Sequence, residues 1–170
     1  DANKSMLAAG KLSVENGAHI VTQQFLDSFL ILSGSGITFG LVIAMLFAAK
    51  SKQYKALGKV AAFPAIFNVN EPVVFGFPIV MNQVMFLPFI IVPILAAIIV
   101  YTSIAIGFMH PFSGVTLPWS TPAIISGFMV GGWQGAFVQV LVLATSTVVY
   151  FPFFKFQDNL AYNNELQAEK

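Results

Sequence analysis

Three polar side chains stand together in the most apolar part of this sequence. Asn68, Asn70 and Glu71 precede Pro72, and Glu71 is the one formally charged residue between positions 60 and 154. A carboxylate at membrane depth costs about 2.5–3.5 kcal/mol on insertion scales, so it is seldom without a function. A carboxylate and two amides match the hydroxyl groups of a sugar, which both donate and accept hydrogen bonds. We predict a binding site here; the alternative is that Glu71 satisfies loose backbone groups at a helix break.

Four other side chains could take part in chemistry. Trp119 lies in an apolar connector, where its ring could stack on a sugar or anchor the chain at a membrane interface. His110, at a predicted helix end, is a candidate substrate ligand, with a capping or interfacial role as the alternative. Asp27 is predicted at an interface or helix end, with a pocket role as the alternative, and His19 at the surface. Two distant histidines without cysteine form no metal-ligand pattern, so no metal or other cofactor is predicted.

Composition places the chain among polytopic membrane proteins. The mean hydropathy is +0.81, 57% of the residues are hydrophobic and 9% are charged. The net charge of +1 says nothing about nucleic acid, but there is no basic patch with interleaved aromatics, so no nucleic-acid partner is predicted. The absence of Cys excludes a disulfide framework and a cysteine phosphoryl carrier within this chain. The first residues contain neither an initiator Met nor a signal peptide, so we interpret the sequence as part of a longer protein.

The apolar pattern predicts an all-α integral membrane protein with about three spanning helices, a re-entrant hairpin and a short half-helix. The predicted spans are residues 25–49, interrupted at 33–36, and residues 84–109 and 134–154. The half-helix is predicted over residues 123–132. Glycines four apart, at 36 and 40 and at 127, 131 and 135, predict close helix contacts. The aromatic residues at 150–156 predict a belt at the membrane interface.

Lysine positions predict the topology. The cluster from Lys50 to Lys59 and the lone Lys155 should both be cytoplasmic, which requires an even number of crossings between them. Residues 60–81 contain Pro, Asn and Glu that a plain span would not carry, so we predict that they form the re-entrant hairpin. The resulting division is an interfacial segment at 1–24, a sugar-binding transmembrane domain at 25–156 and a polar cytoplasmic tail at 157–170.

Several motifs resemble one known family. They are NVNEPVVFG at positions 68–76 followed by Pro78, HP at 110–111, and LPWSTP at 117–122. Together they resemble the membrane component (IIC) of the lactose, cellobiose and chitobiose group of bacterial sugar phosphotransferase systems. The resemblance covers nearly the whole chain and matches the C-terminal part of that component.

This resemblance implies a multi-pass protein of the bacterial inner membrane that is a homodimer when complete. It implies phosphoenolpyruvate-dependent uptake of a β-linked disaccharide of the cellobiose, chitobiose or lactose type. A separate IIB subunit holding a phosphocysteine, supplied through IIA, would phosphorylate the sugar, so no covalent catalysis is expected in this chain. Glu71 would bind a sugar hydroxyl and Trp119 would pack on the ring. The family also uses a His on an earlier segment, whose sequence context neither His19 nor His110 matches.

Three other functions remain open from the residues. An ion-coupled secondary transporter would use Glu71 as the coupling site in a broken helix. An intramembrane hydrolase would need a base and nucleophile at His110 and Ser113. The third alternative is a fragment that packs as a helical bundle without activity of its own.

Overall fold

The computed structural model of the chain describes residues 2–77, 79–112, 114 and 116–168. All regular structure within these residues is helical, which confirms the predicted all-α class. Pro78 of the signature and Ser113 of the hydrolase alternative lie outside the described residues.

The described part of the chain contains seven α-helices, of which α6 and α7 are the longest. The helices are α1 (Ala2–Ala8), α2 (Gln23–Phe25), α3 (Phe39–Ala48), α4 (Lys52–Ile66), α5 (Glu71–Gly76), α6 (Gln83–Ala105) and α7 (Ile125–Ala168). A π-helical turn at Leu26–Leu30 follows α2, and 3-10 turns lie at Val14–Asn16 and Ile79–Met81. Among the described residues, α6 and α7 are the two helices long and apolar enough to cross a membrane. Pro88 and Pro93 lie inside α6.

The first apolar segment is broken where the sequence predicts an interruption. Residues 31–38 form turns, and Ser33, Gly34, Gly36 and Ile37 have φ angles of 58°, 81°, 77° and 51°. A branched residue such as Ile37 at positive φ costs on the order of 1–3 kcal/mol and persists only where its surroundings fix it. Ile37 is fully buried, so packing fixes this turn.

α3 lies parallel to the second half of α7. The Tyr150 hydroxyl donates to the Gly36 carbonyl at 2.8 Å, and the Lys155 ammonium donates to the Ala48 carbonyl at 2.8 Å. Gly40 has no room for a side chain, because a Cβ atom there would clash with the α7 backbone at Ser146. The close helix approach predicted for Gly40 is therefore present.

The predicted aromatic belt is wrong for two of its members. Tyr150 and Phe154 are fully buried, whereas Phe151 and Phe156 are exposed. The Phe154 ring packs on Tyr54 with centroids 5.9 Å apart. Composition alone could not separate these residues, since helical periodicity turns only part of an aromatic run outward.

α4, α5 and the turn between them form a hairpin whose ends meet. Tyr54 near the start of α4 stacks on Phe77 just after α5, with ring centroids 4.4 Å apart and planes 18° apart. The Leu57 side chain contacts Gly76, where a Cβ atom would clash with it. The chain therefore leaves and returns at one level, the level of Phe154 on α7.

The far end of α7 binds the start of α4. The fully buried Asp158 carboxylate accepts hydrogen bonds from the Lys50 amide at 2.8 Å and the Ser51 amide at 3.0 Å. Glu165 accepts from the next two amides, at 2.9 and 3.1 Å. Carboxylates at this position satisfy the free N–H groups of a first helical turn. The residues predicted as a tail are thus helical up to Ala168 and attached to α4.

α7 contains a break near its start. Gly131 and Gly132 have non-helical φ/ψ angles of −131°/15° and 64°/−157°, so a short helix precedes the long one. The short helix packs against the long one, because a Cβ atom on Gly127 would lie 2.7 Å from the Gly135 carbonyl oxygen. The sequence predicts that Gly131 makes a close helix contact together with Gly127 and Gly135. In the structure, Gly131 is instead part of the break.

Candidate functional site

The signature around Glu71 occupies the tip of the α4–α5 hairpin. Asn68 has a φ of 63°, a left-handed conformation that Asn tolerates better than most residues. Pro72 lies in the first turn of α5, where its missing N–H group leaves no hydrogen bond unmade. The tip contacts the broken 31–38 segment, where the Ser146 hydroxyl donates to the Ile37 carbonyl. Since Ser146 is near the middle of the apolar residues 134–154, the tip is level with the centre of α7.

Asn68 connects three separate segments of the chain. Its side-chain oxygen accepts a hydrogen bond from the Ser33 amide at 2.7 Å. Its side-chain nitrogen donates to the Trp119 carbonyl at 2.7 Å and the Thr121 carbonyl at 2.9 Å. Both N–H groups of the amide are engaged within the protein, so Asn68 fixes the position of Trp119.

Asn70 is also engaged with the backbone. It is buried, and its side-chain nitrogen donates to the Ser35 carbonyl at 2.8 Å and the Thr38 hydroxyl at 3.3 Å. Its amide lies against Gly34, where any side chain would collide with it. Asn70 therefore fixes the hairpin tip to the broken segment.

Glu71 differs from its two neighbours. It is exposed on the surface of this chain, and its carboxylate has no hydrogen bond or ion pair with any described residue. The alternative in which Glu71 satisfies loose backbone groups therefore has no supporting contact in the described part of the chain. A carboxylate so placed is available to a ligand hydroxyl or to a neighbouring segment.

Trp119 borders a narrow cleft beside the hairpin tip. The cleft itself has a volume of only about 40 Å³, so a sugar would lie across its mouth, and Asn68, Gln24, Asp27 and Thr121 also line it. The Trp119 side chain is 72% exposed, so most of the indole surface is accessible. An accessible aromatic ring among carboxyl, amide and hydroxyl groups can bind a sugar by its apolar face and by its hydroxyls.

The two histidines lie elsewhere. His110 borders a different cleft, together with Gly131 and Gly132 at the break in α7. The backbone of His19 is held by Asn3, whose side-chain oxygen accepts its N–H at 2.9 Å. Neither histidine lines the cleft that contains Trp119.

Gln139 supports the cleft from behind, although the sequence analysis did not predict it. Its fully buried amide donates to the Ser28 carbonyl at 2.6 Å and the Ser126 hydroxyl at 2.9 Å, and accepts from the Gly127 amide at 3.0 Å. A polar amide within an apolar span is the signal that could have identified it, by the same reasoning that identified Glu71.

Comparison with known proteins places these features in one family. The family described as "Phosphotransferase system, EIIC" matches residues 1–93. The lichenan permease IIC component of Bacillus subtilis is 43% identical over 99% of this chain and 37% of its own length. The cellobiose-specific EIIC component of Geobacillus stearothermophilus is 42% identical over 82% of this chain and 32% of its own length.

A solved structure shares the fold. The crystal structure of the transporter ChbC, the IIC component from the N,N′-diacetylchitobiose-specific phosphotransferase system, matches with a TM-score of 0.90 and 37% identity. The match covers 97% of this chain and 38% of ChbC, so the chain spans well under half the length of the proteins it resembles.

Proposed function

Because the chain belongs to the EIIC family of the phosphotransferase system, we propose that it is the sugar-binding C-terminal part of a permease. The permease binds a β-linked disaccharide of the cellobiose, chitobiose or lactose type and translocates it for phosphorylation by a separate IIB subunit. The relatives' names, which include lichenan, cellobiose- and lactose-specific components, support this substrate class.

One observation carries the proposal: a single side chain connects the turn of Glu71 to Trp119. Asn68 donates to the Trp119 carbonyl from a position three residues before Glu71. A free carboxylate and an accessible indole are thus held on one rigid framework. Glu71 orients the acceptor hydroxyl of the sugar, Trp119 stacks on a ring, and Asn68 and Asn70 shape the site that the sugar enters.

We propose three crossings of the bacterial inner membrane. Residues 25–49 form the broken first crossing, α6 the second, and the part of α7 after Gly132 the third. The first crossing is supported by contacts at both ends: Gln139 binds the Ser28 carbonyl and Lys155 binds the Ala48 carbonyl. The 25–156 region would thus be the transmembrane domain, and residues 125–130 the half-helix.

The hairpin is re-entrant in this arrangement. The stacking of Tyr54 on Phe77 supports a return to the side on which the hairpin began. Its tip lies level with the centre of α7, where transporters with broken helices bind their substrates.

The remaining partners follow from the family. A IIB subunit with a phosphocysteine, itself charged by IIA, would supply the phosphoryl group, and two complete copies would form a homodimer. Phosphorylation traps the sugar by adding charge that cannot recross the lipid. The ion-coupled alternative finds less support, since the matched family is a phosphotransferase component.

Glu71→Gln in the complete protein tests this proposal. Losing the charge-assisted hydrogen bond costs about 1.5–3 kcal/mol, so affinity for the sugar should fall about ten- to a hundredfold. Equilibrium binding of radiolabelled cellobiose, lactose and N,N′-diacetylchitobiose measures the effect. Membrane insertion and thermal stability should not change, because the carboxylate contacts no described residue. Unchanged affinity in the variant would remove Glu71 from the site.

A further inference from the structure

Asp27 lies outside the signature but borders the same cleft as Trp119. It belongs to the π-helical turn Leu26–Leu30, and such turns frequently occur at functional sites. Its side chain is exposed, and one carboxylate oxygen accepts a hydrogen bond from the Gln23 side chain at 2.8 Å. That bond orients the carboxylate and leaves further lone pairs on it for a ligand.

The other cleft residues complement Asp27. Gln24 and Thr121 add an amide and a hydroxyl, and Asn68 closes the side nearest the hairpin tip. Polar groups around an accessible Trp119 ring suit a pyranose, whose apolar face can stack while its equatorial hydroxyls reach the rim. The cleft thus has the chemistry of a sugar-binding site without any contribution from Glu71.

Glu71 and the cleft are a short distance apart. Glu71 does not line the cleft, but Asn68 does, and three peptide units separate the two Cα atoms by at most about 11 Å. A disaccharide can therefore contact both regions at once. On the basis of the proposed function, we infer that Asp27 accepts hydrogen bonds from the sugar unit stacked on Trp119, while Glu71 binds the other unit.

The test uses Asp27→Asn in the complete protein, with radiolabelled cellobiose, lactose and N,N′-diacetylchitobiose as probes. Replacing a charged acceptor by a neutral amide should raise the Kd of the sugar that binds unmodified protein best by about tenfold. Asp27→Glu, which keeps the carboxylate, should recover part of this loss. Glu15→Gln, the same change of charge on an exposed residue outside the cleft, should leave the Kd unchanged.

Three results are distinguishable. If the unmodified protein binds none of the three sugars, the proposed function fails and the inference fails with it. If Asp27→Asn binds within about twofold of the unmodified protein, the inference fails alone. If both Asp27 variants lose binding together with thermal stability, Asp27 has a structural role and the inference is equally overturned.

Discussion

The two asparagines of the signature shape the site through the backbone. Each amide donates both of its N–H groups inside the protein, Asn68 to the Trp119 connector and Asn70 to the broken segment. An amide suits this task because it offers donors and an acceptor without the cost of burying a charge. The charge is kept for Glu71, the one member of the trio that is exposed.

Trp119 provides a direct test at this scale. Trp119→Ala should weaken disaccharide binding about tenfold or more, because stacking and apolar burial of a large ring contribute on the order of 1–3 kcal/mol. The matched control is Trp133→Ala: that side chain is 61% exposed, close to the 72% of Trp119, and packs on the Phe108 ring away from the cleft. Binding titrations on both variants decide the matter. Equal losses would mean that Trp119 is only an interfacial anchor.

The sequence predicts which residues matter here better than it predicts what they contact. Glu71, Asn68, Asn70 and Trp119 are conspicuous because polar and Pro-flanked residues are rare in an apolar stretch. The partners of Asn68 and Asn70, including Ser33 and Ser35, lie tens of residues away along the chain. Long-range hydrogen bonds leave no periodicity in a sequence, so the positioning role of the amides could not be read from it.

At the scale of the helices, the hairpin of α4 and α5 gives the most specific prediction of membrane topology. Its ends are joined by an aromatic stack, and its tip is joined to the broken segment 31–38. When two broken segments face each other, they can form hydrogen bonds to each other's free backbone groups. Irregular backbone is tolerated within a bilayer when it is buried in protein in this way. The interruption at 33–36 and the signature are therefore one structural unit.

Cysteine labelling tests the hairpin. Lys55→Cys and Gln83→Cys, both at exposed positions beside its base, should react with an impermeant maleimide from the cytoplasmic face alone. The chain has no native Cys, so any other Cys in the complete protein would be replaced first. Intact cells and inside-out vesicles give the two faces separately. Labelling of the two positions from opposite faces would demonstrate a full crossing and overturn the re-entrant arrangement.

The positions of the helices can largely be predicted from the sequence. The contacts that the polar end of α7 makes cannot. Hydropathy locates α6 and the long part of α7, and glycine marks the breaks at 33–36 and 131–132. The stretch after residue 156 was predicted as a tail because it is polar. Its Asp158 is nonetheless fully buried, since the start of α4 supplies the N–H groups that offset the burial of a carboxylate.

At the scale of the whole molecule, the lysines and the tip of the hairpin lie at two different heights along the helix bundle. Lys155 binds the end of α3, and Asp158 binds the start of α4, so Lys155 and the start of the Lys50–Lys59 cluster are at the same end of the bundle. The proposed sugar site lies about half the apolar length away, near Ser146. Under the proposed function, a sugar bound there moves toward the lysine-rich end before a soluble partner can reach it.

Uptake should therefore require phosphorylation. In vesicles containing the complete protein, labelled cellobiose should accumulate as sugar phosphate when phosphoenolpyruvate and the IIA and IIB partners are supplied. Omitting IIB should abolish accumulation, because unmodified sugar can leave by the route it entered. Measurement of free and phosphorylated label inside the vesicles checks both statements. Accumulation of unmodified sugar in response to an ion gradient without IIB would favour the ion-coupled transporter.

The attachment of α7 to α4 bears on where the protein can be truncated. A stop codon before residue 158 would remove both carboxylates that satisfy the first amides of α4, and with them the contacts that hold the base of the α4–α5 hairpin. The turns of α7 around Asp158 and Glu165 look dispensable by composition, yet they hold the start of the α4–α5 hairpin in place.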